Sequence, residues 1–287
     1  MKIRDLLKQK RVTISMEVFP PKTDTAFQSV SESVRAISRL HPSFVSCTYG
    51  AGGGTSRYTV EISRMIKEEG VTSMAHLTCI SSTRDTVRSQ IGRIRDAGIE
   101  NILALRGDIP EGMDFPSPRY FEHADQLIRE IRDVYPDVCI GGACYPEKHP
   151  EAASKNEDIM NIRRKVDAGC DFLTTQMFFD NSIFYNYLYR LREAGVFVPV
   201  LAGIMPVTSR RQIERSIQLS GCIIPAELTA LADRFGDDPA AMQQASILYA
   251  SHQIIDLIAN DIGHIHVYTM NKPSVAEGIL RNLEGIL

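Results

Sequence analysis

Residues 264–270 read HIHVYTM, a short β-branched and apolar run, and it settles the fold class because it is the eighth of its kind. The others are TISMEVF (13–19), FVSCTYG (44–50), TSMAHLT (72–78), NILALRG (101–107), VCIGGACY (138–145), FLTTQMFF (172–179) and VPVLAGI (198–204). Each has the length and side-chain shape of a buried strand, and each ends in a polar or glycine-rich turn followed by an amphipathic stretch of helical length. TRDTVRSQIGRIRDAG places Val87, Ile91 and Ile94 on one stripe, with Gly98 as a stop. NEDIMNIRRKVDAG does the same with Ile159, Ile162 and Val166, and stops at Gly169. TSRRQIERSIQLSG is capped by Thr208 or Ser209 and closes at Gly221. The long interval 224–262 holds two helices, and Asp237-Asp238-Pro239 marks the start of the second.

Eight strand–helix units with no Pro/Ser-rich linker predict one (βα)8 barrel over residues 1–287. A doubly wound sheet is the alternative, but such a sheet usually has fewer strands and more often a glycine fingerprint after its first strand. Here the first strand runs into FPPK.

With 44% hydrophobic and 23% charged residues, the 287-residue chain has an ordinary globular balance. A formal net charge of −3, with Lys and Arg spread along the sequence, suggests no basic face and argues against a nucleic-acid partner. The N-terminal MKIRDLLKQKRVTISMEVF resembles neither a secretory signal nor a membrane span. The six cysteines form no C-x-x-C pair, and Cys47, Cys79, Cys139 and Cys144 read as buried thiols. A reduced, cytoplasmic protein is expected.

Chemistry in a barrel gathers at the carboxyl ends of its strands. The polar residues there are Glu17, Thr48 with Tyr49, His76 with Thr78, Arg106 with Asp108, Tyr145, Gln176, and Tyr268 with Asn271. Glu17, inside SMEVF, stands out, because a buried charge needs either a raised proton affinity or a partner. It reads as a catalytic acid or as half of a structural ion pair with Arg106. Arg106-Gly107-Asp108 reads as a barrel-mouth loop and not as an adhesion signal: Gly107 lets the backbone approach a ligand, and Asp108 offers a carboxylate. YGAGGGTSRY (49–58) precedes a helix and could cradle phosphate, but it lacks the ending of a P-loop. His264 and His266 form H-x-H without further histidine ligands, so structural roles outweigh a metal site. Gln212 can close a capping box after Ser209. His149 sits between residues of a proline-flanked loop, with a solvated imidazole as the plain reading.

SMEVFPPK, FVSCTYGAGG, AHLTCIS, ALRGDIP, ACYPEKHPEA, RKVDAGCDFLTTQMFFD, AGIMPV and HVYTMN, in this order from about residue 12 to 273, together resemble the methylenetetrahydrofolate reductase family in its bacterial catalytic-barrel form. The resemblance implies a flavoprotein of one-carbon metabolism and methionine biosynthesis. Its FAD would be reduced by NADH or NADPH, and would then reduce 5,10-methylenetetrahydrofolate to 5-methyltetrahydrofolate in a ping-pong cycle. It assigns Glu17 as general acid and Asp108 as the carboxylate near flavin and pterin. Gln176, Gln212 and Lys272 become folate-binding residues. The implied FAD contacts are Thr48, Tyr49, His76, Leu105, Arg106, Gly107, Asp108, Ala143, Tyr145, His149, Asp158, Asn161, Arg164 and Lys165. No metal is implied. Arg164 and Lys165 would face the diphosphate; apart from the resemblance they read as surface charges on a helix.

Two departures stand out. Ser216 occupies a position where close relatives carry phenylalanine, which removes a stacking partner for nicotinamide or folate. Lys272 replaces a frequent arginine and so lacks its bidentate fork. No regulatory domain binding S-adenosylmethionine is expected in residues 1–287. Ser216 keeps open an electron-transfer partner protein in place of a pyridine nucleotide. A flavin-free methyl-transfer barrel and a non-catalytic carrier are the other readings. A homo-oligomer is expected on general grounds.

Overall fold

The eight apolar runs become eight parallel strands of one closed barrel: β1 (Thr13–Val18), β2 (Val45–Cys47), β3 (Ser73–Thr78), β4 (Asn101–Leu105), β5 (Cys139–Cys144), β6 (Phe172–Thr175), β7 (Val200–Ile204) and β8 (His264–Tyr268). The structure, a computed structural model, describes residues 1–49, 56–109, 112 and 121–287. Pairing of Thr13–Glu17 with His264–Tyr268 closes the ring, so the doubly wound alternative is excluded. The strands are shorter than the runs; in six of the eight units the polar carboxyl end of the run leaves the ladder for the mouth, while β3 and β7 keep their carboxyl ends and begin later.

Helices α2 (Phe27–Ser38), α3 (Ser56–Glu68), α4 (Arg84–Asp96), α5 (Ala124–Val134), α6 (Lys155–Asp167), α7 (Asn181–Glu193), α8 (Arg210–Ser220), α9 (Ala226–Phe235), α10 (Pro239–Ala259) and α11 (Pro273–Leu283) occupy the intervals between strands and the end of the chain. The expected stripes are buried: Val87, Ile91 and Ile94 in α4, and Ile159 and Ile162 in α6, with Val166 half-buried. Gly98, Gly169 and Gly221 take left-handed φ values just past their helices, as a glycine stop should. Asp238 caps α10 by accepting from the N–H groups of Ala240 and Ala241, ahead of Pro239 in the first turn.

The period of two divides every strand between two environments. On β1, Ile14, Met16 and Val18 join the large apolar cluster beneath the helices. Thr13, Ser15 and Glu17 alternate with them, and Ser15 and Glu17 meet His266 in the interior. Lower in the barrel the interior is apolar, with Phe44, Met74, Leu103, Cys139, Phe172 and Leu201 in one cluster. Gly141 makes room for this layer, since a Cβ there would lie 2.6 Å from the Phe172 ring.

One element was not expected from the sequence. Helix α1 (Ile3–Gln9) plugs the bottom of the barrel, placing Ile3, Leu6 and Leu7 in that same cluster. Asn101 fastens it: its Oδ1 accepts the Ile3 N–H at 2.7 Å, and its Nδ2 donates to the carbonyls of Met1 (3.1 Å) and Ser73 (3.0 Å). All six cysteines are free and buried. Among the described residues no helix is long and apolar enough to cross a membrane.

Replacing Asn101 by Ala leaves the Ile3 N–H without its acceptor. We expect a loss of about 2 kcal/mol, read as a lowered urea midpoint at unchanged slope. An unchanged midpoint would show that α1 docks through its apolar face alone.

Candidate active site

The mouth of the barrel carries a cleft of about 400 Å³ over the ends of β3, β4 and β5 and one face of α6, a size usual for small-molecule sites. Tyr49, Leu105, Arg106, Gly107, Asp108, Ala143, Tyr145, His149, Asp158, Asn161, Arg164 and Lys165 all line it. Leu105 to Asp108, Ala143 and Tyr145 converge because consecutive parallel strands deliver their carboxyl ends to one place, and α6 adds Asp158, Asn161, Arg164 and Lys165 from one face. Thr48 and His76 do not line the cleft. Thr48 follows β2 with its carbonyl accepting the Thr59 hydroxyl, and His76 turns into the barrel toward Glu17.

Arg106 leaves β4 along the cleft wall and makes a bidentate pair with Glu151, at 2.5 and 2.6 Å. The pair raises the proton affinity of the guanidinium and lowers that of Glu151. The expected alternative of a Glu17–Arg106 ion pair is therefore wrong. Sequence reading could not find Glu151, because the two residues are 45 positions apart. Gly107, at φ +89°, sits against the side chains of Thr78 and Ile80, where a Cβ would be crowded as well as strained.

Tyr145 and His149 meet edge to face with centroids 4.6 Å apart. The Tyr145 phenol is pushed up by burial and then by the charge of Asp108. His149 is half-buried, not solvated. Burial, followed by the Arg106 charge, lowers its pKa, and its Nδ1 accepts the Glu151 N–H. Asp158 is buried in α6, accepts the His149 N–H, and is raised by burial.

Arg164 is an exposed cation at the rim, hydrogen-bonded to Asn161. Lys165 is not the surface charge that a helix position would suggest. Its Nζ reaches inward to the Ala143 carbonyl at 2.7 Å, and burial lowers its pKa. The cleft also takes in Ser81, His123 and Asp125, which the sequence reading did not single out. The position of His123 at the start of α5 was the available signal.

Glu17 does not line the cleft; it lies inside the barrel, 7% exposed. Its Oε2 is 3.4 Å from His266 Nε2 and 3.5 Å from His76 Nε2, so two imidazoles partner the buried carboxyl group. Burial drives the His76 pKa down to about 4 against the opposing pull of Glu17, leaving it neutral at neutral pH. The backbone of Glu17 is pinned from β8: the Thr269 hydroxyl donates to its carbonyl at 2.7 Å. Asn271 clamps the next turn, accepting the Phe19 N–H and donating to the Phe19 carbonyl.

Gln176 follows β6, accepts the Met177 N–H at 2.9 Å and hydrogen-bonds the Tyr145 phenol. Gln212 and Lys272 meet through Thr208. Lys272 Nζ donates to Thr208 Oγ1 at 2.5 Å, and the Thr208 N–H and hydroxyl both donate to Gln212 Oε1. Gln212 thus reaches back to Thr208 and not to Ser209, which begins α8 without a side-chain cap. Ser216 is buried in α8, its carbonyl taking the Ser220 hydroxyl. Residues 50–55 of the glycine-rich stretch lie outside the described residues. The H-x-H pair is structural in its contacts: His264 bonds Thr13, and His266 bonds Ser15 and Ser46. No cluster of three or more metal-ligating side chains occurs among the described residues.

The family model for methylenetetrahydrofolate reductase matches residues 2–284. The chain belongs to that family. The 5,10-methylenetetrahydrofolate reductase of Escherichia coli K12 is 34% identical over 276 residues, covering 96% of this chain and 92% of its own. Methylenetetrahydrofolate reductase (NADH) 1 of Arabidopsis thaliana is 35% identical over 295 residues, which are 98% of this chain. The chain spans about half the length of that plant relative and of those from Zea mays and rice. Among solved structures, a Clostridium thermocellum protein that binds two copies of 5-methyl-5,6,7,8-tetrahydrofolic acid aligns over 100% of both chains, with a TM-score of 0.68 at 15% identity. A 2,3-dimethylmalate lyase aligns over 99% of this chain and 85% of its own, with a TM-score of 0.56 at 10% identity. At these identities the structural likeness concerns the fold.

Because His76 binds its proton more weakly in the fold than in the unfolded chain, its contribution to stability is complete above the unfolded pKa of about 6.5 and is lost as pH falls toward 4. We expect the wild type to lose about 3 kcal/mol more than His76→Gln between pH 7 and 4, measured by urea titrations of both proteins. Equal losses would show that the ring accepts its proton without penalty.

Proposed function

We propose that the protein reduces 5,10-methylenetetrahydrofolate to 5-methyltetrahydrofolate with NADH or NADPH as donor, in a ping-pong cycle through bound FAD. The observation that carries this reading is a buried carboxyl group, Glu17, facing His76 of β3, the same strand whose Thr78 lines a cleft of about 400 Å³ at the barrel mouth. The cleft fits a dinucleotide flavin in kind. It offers the aromatic edges of Tyr145 and His149, a left-handed glycine at Gly107 where backbone can approach a ring, and the Arg164 guanidinium for a diphosphate.

Bound FAD would supply the two-electron relay between nicotinamide and folate. The residues of the chain would do the rest. Arg164 would hold the diphosphate, while Lys165, tied to the Ala143 carbonyl, would shape the cleft floor. Glu17 would hold a proton at Oε2 and deliver it to the folate nitrogen as the five-membered ring opens to an electrophilic iminium. Asp108, at the exposed mouth, would favour the cationic folate by its charge. The Gln176 amide would orient the pterin. The ammonium of Lys272 and the free amide protons of Gln212 would meet the carboxylates of the glutamate tail. The plant relatives are named as NADH reductases, which makes NADH the donor to test first. We further propose that residues 1–287 act as a single catalytic barrel, with homo-oligomer formation and a protein electron donor left as separate assays.

The first experiment is an absorption spectrum after incubation with FAD and desalting, followed by anaerobic addition of NADH. A retained flavin band that NADH bleaches is expected, and a colourless protein that takes up no FAD would overturn the proposal. In Glu17→Gln the folate-driven step should slow by about 10²- to 10⁴-fold while NADH still bleaches the flavin. Equal slowing of both steps would place Glu17 outside the proton transfer.

A further inference from the structure

We infer that Glu17 and His266 hold a single proton between them, on the line from Glu17 Oε2 to His266 Nε2, and that Ser15 sets the histidine tautomer that makes this so. The catalytic consequence rests on the reductase reading above; the proton arrangement rests on geometry alone.

A serine hydroxyl has one proton to give. Ser15 Oγ lies 2.9 Å from the carbonyl oxygen of Ile265, which can only accept. The same Oγ lies 2.8 Å from His266 Nδ1. With its proton committed to Ile265, Ser15 must accept there, so Nδ1 carries the hydrogen. A neutral His266 then presents a bare lone pair at Nε2, facing Glu17 Oε2 at 3.4 Å. Ser46 Oγ, 3.3 Å from Nε2, can add a hydrogen bond but no charge.

The surroundings decide how many protons the pair holds. His266 is fully buried, with Phe44 stacked at 5.7 Å and Tyr268 edge-on at 5.6 Å. Among the described residues no lysine or arginine forms an ion pair with Glu17, since Arg106 is taken by Glu151. The titratable groups around the pair are Cys47 from β2, His76 from β3 and Tyr268 from β8. Burial keeps all three neutral. A carboxylate facing two neutral imidazoles would be an uncompensated buried charge opposed to a lone pair. One proton between Oε2 and Nε2 removes that conflict, either as carboxylic acid and imidazole or as carboxylate and imidazolium.

His266 is thereby a positioning residue. It keeps a proton on the acid until substrate arrives. On ring opening the Oε2–H bond breaks and an N–H bond forms on the folate, while the departing C–N electron pair stays on that nitrogen. The pair is then one proton short and recovers it from solvent, one proton per folate reduced.

The test is the tautomer itself. In protein labelled with ¹⁵N-histidine, long-range ¹H–¹⁵N spectra at neutral pH distinguish an Nδ1–H ring from an Nε2–H ring, and the His266→Gln spectrum identifies the signal among seven histidines. We expect Nδ1 protonated, and a shifted tautomer population in Ser15→Ala that Ser15→Thr restores. In Ser15→Ala the folate-driven step should slow about tenfold at unchanged KM. Wild-type His266 as the Nε2–H tautomer overturns the inference without needing any variant. A tautomer unmoved in Ser15→Ala overturns the part given to Ser15. A flavin-loaded protein with the Nδ1–H ring and no folate turnover sinks the reductase reading and leaves the proton arrangement standing. Folate turnover with an Nε2–H ring does the reverse.

Discussion

The ladder between β1 and β8 joins residues about 250 positions apart, and the rest of the molecule depends on it. Until Thr13–Glu17 lies beside His264–Tyr268, the sheet has two open edges and its interior is exposed to water. Closing the ring removes both edges and creates the dry interior in which Glu17 sits. The register matters as much as the closure. It sets Ser15 opposite His266 and Glu17 opposite Tyr268. A slip of one residue would turn every one of these side chains out toward the helices.

The barrel is graded along its axis. At the bottom, α1 and the apolar layer from Phe44 to Leu201 make an ordinary core with a plug held by Asn101. Above it come Ser15, Ser46, His266 and Glu17, polar groups that would be costly in isolation but hydrogen-bond one another, with His76 facing Glu17 at 3.5 Å. At the mouth, strand ends and loops supply the cleft. Residues at the bottom can therefore change with effects on stability alone, whereas a change in the middle layer alters the immediate surroundings of Glu17.

Much of this was legible in the sequence, because it is local. Eight apolar runs, the stripe of α4 and the stops at Gly98, Gly169 and Gly221 each follow from neighbours within a few positions. The strand ends gave most of the cleft for the same reason: in a parallel barrel every carboxyl end points the same way. What was not legible is pairwise and distant. Arg106 chose Glu151 over Glu17, and Lys165 turned inward to a backbone carbonyl, both decided by packing between elements. Helix α1 escaped notice because seven residues with four polar side chains carry too little periodicity, and its three apolar positions make sense only against a barrel floor. H-x-H looked like a metal signature or a structural pair until the fold placed a serine behind one ring and a carboxyl group before it.

The six buried thiols bear on how this protein ages. Cys79, Cys139, Cys144 and Cys170 are pushed up to about 12 by burial, and Cys47 and Cys222 are also raised. Since the thiolate is the reactive form, peroxide and alkylating reagents find almost none of it at neutral pH, and little access to any. A chain in this state resists sulfenic acid formation and disulfide cross-linking for as long as it stays folded. Its reactivity toward thiol reagents thus becomes a clock for unfolding and not a measure of its exposed surface.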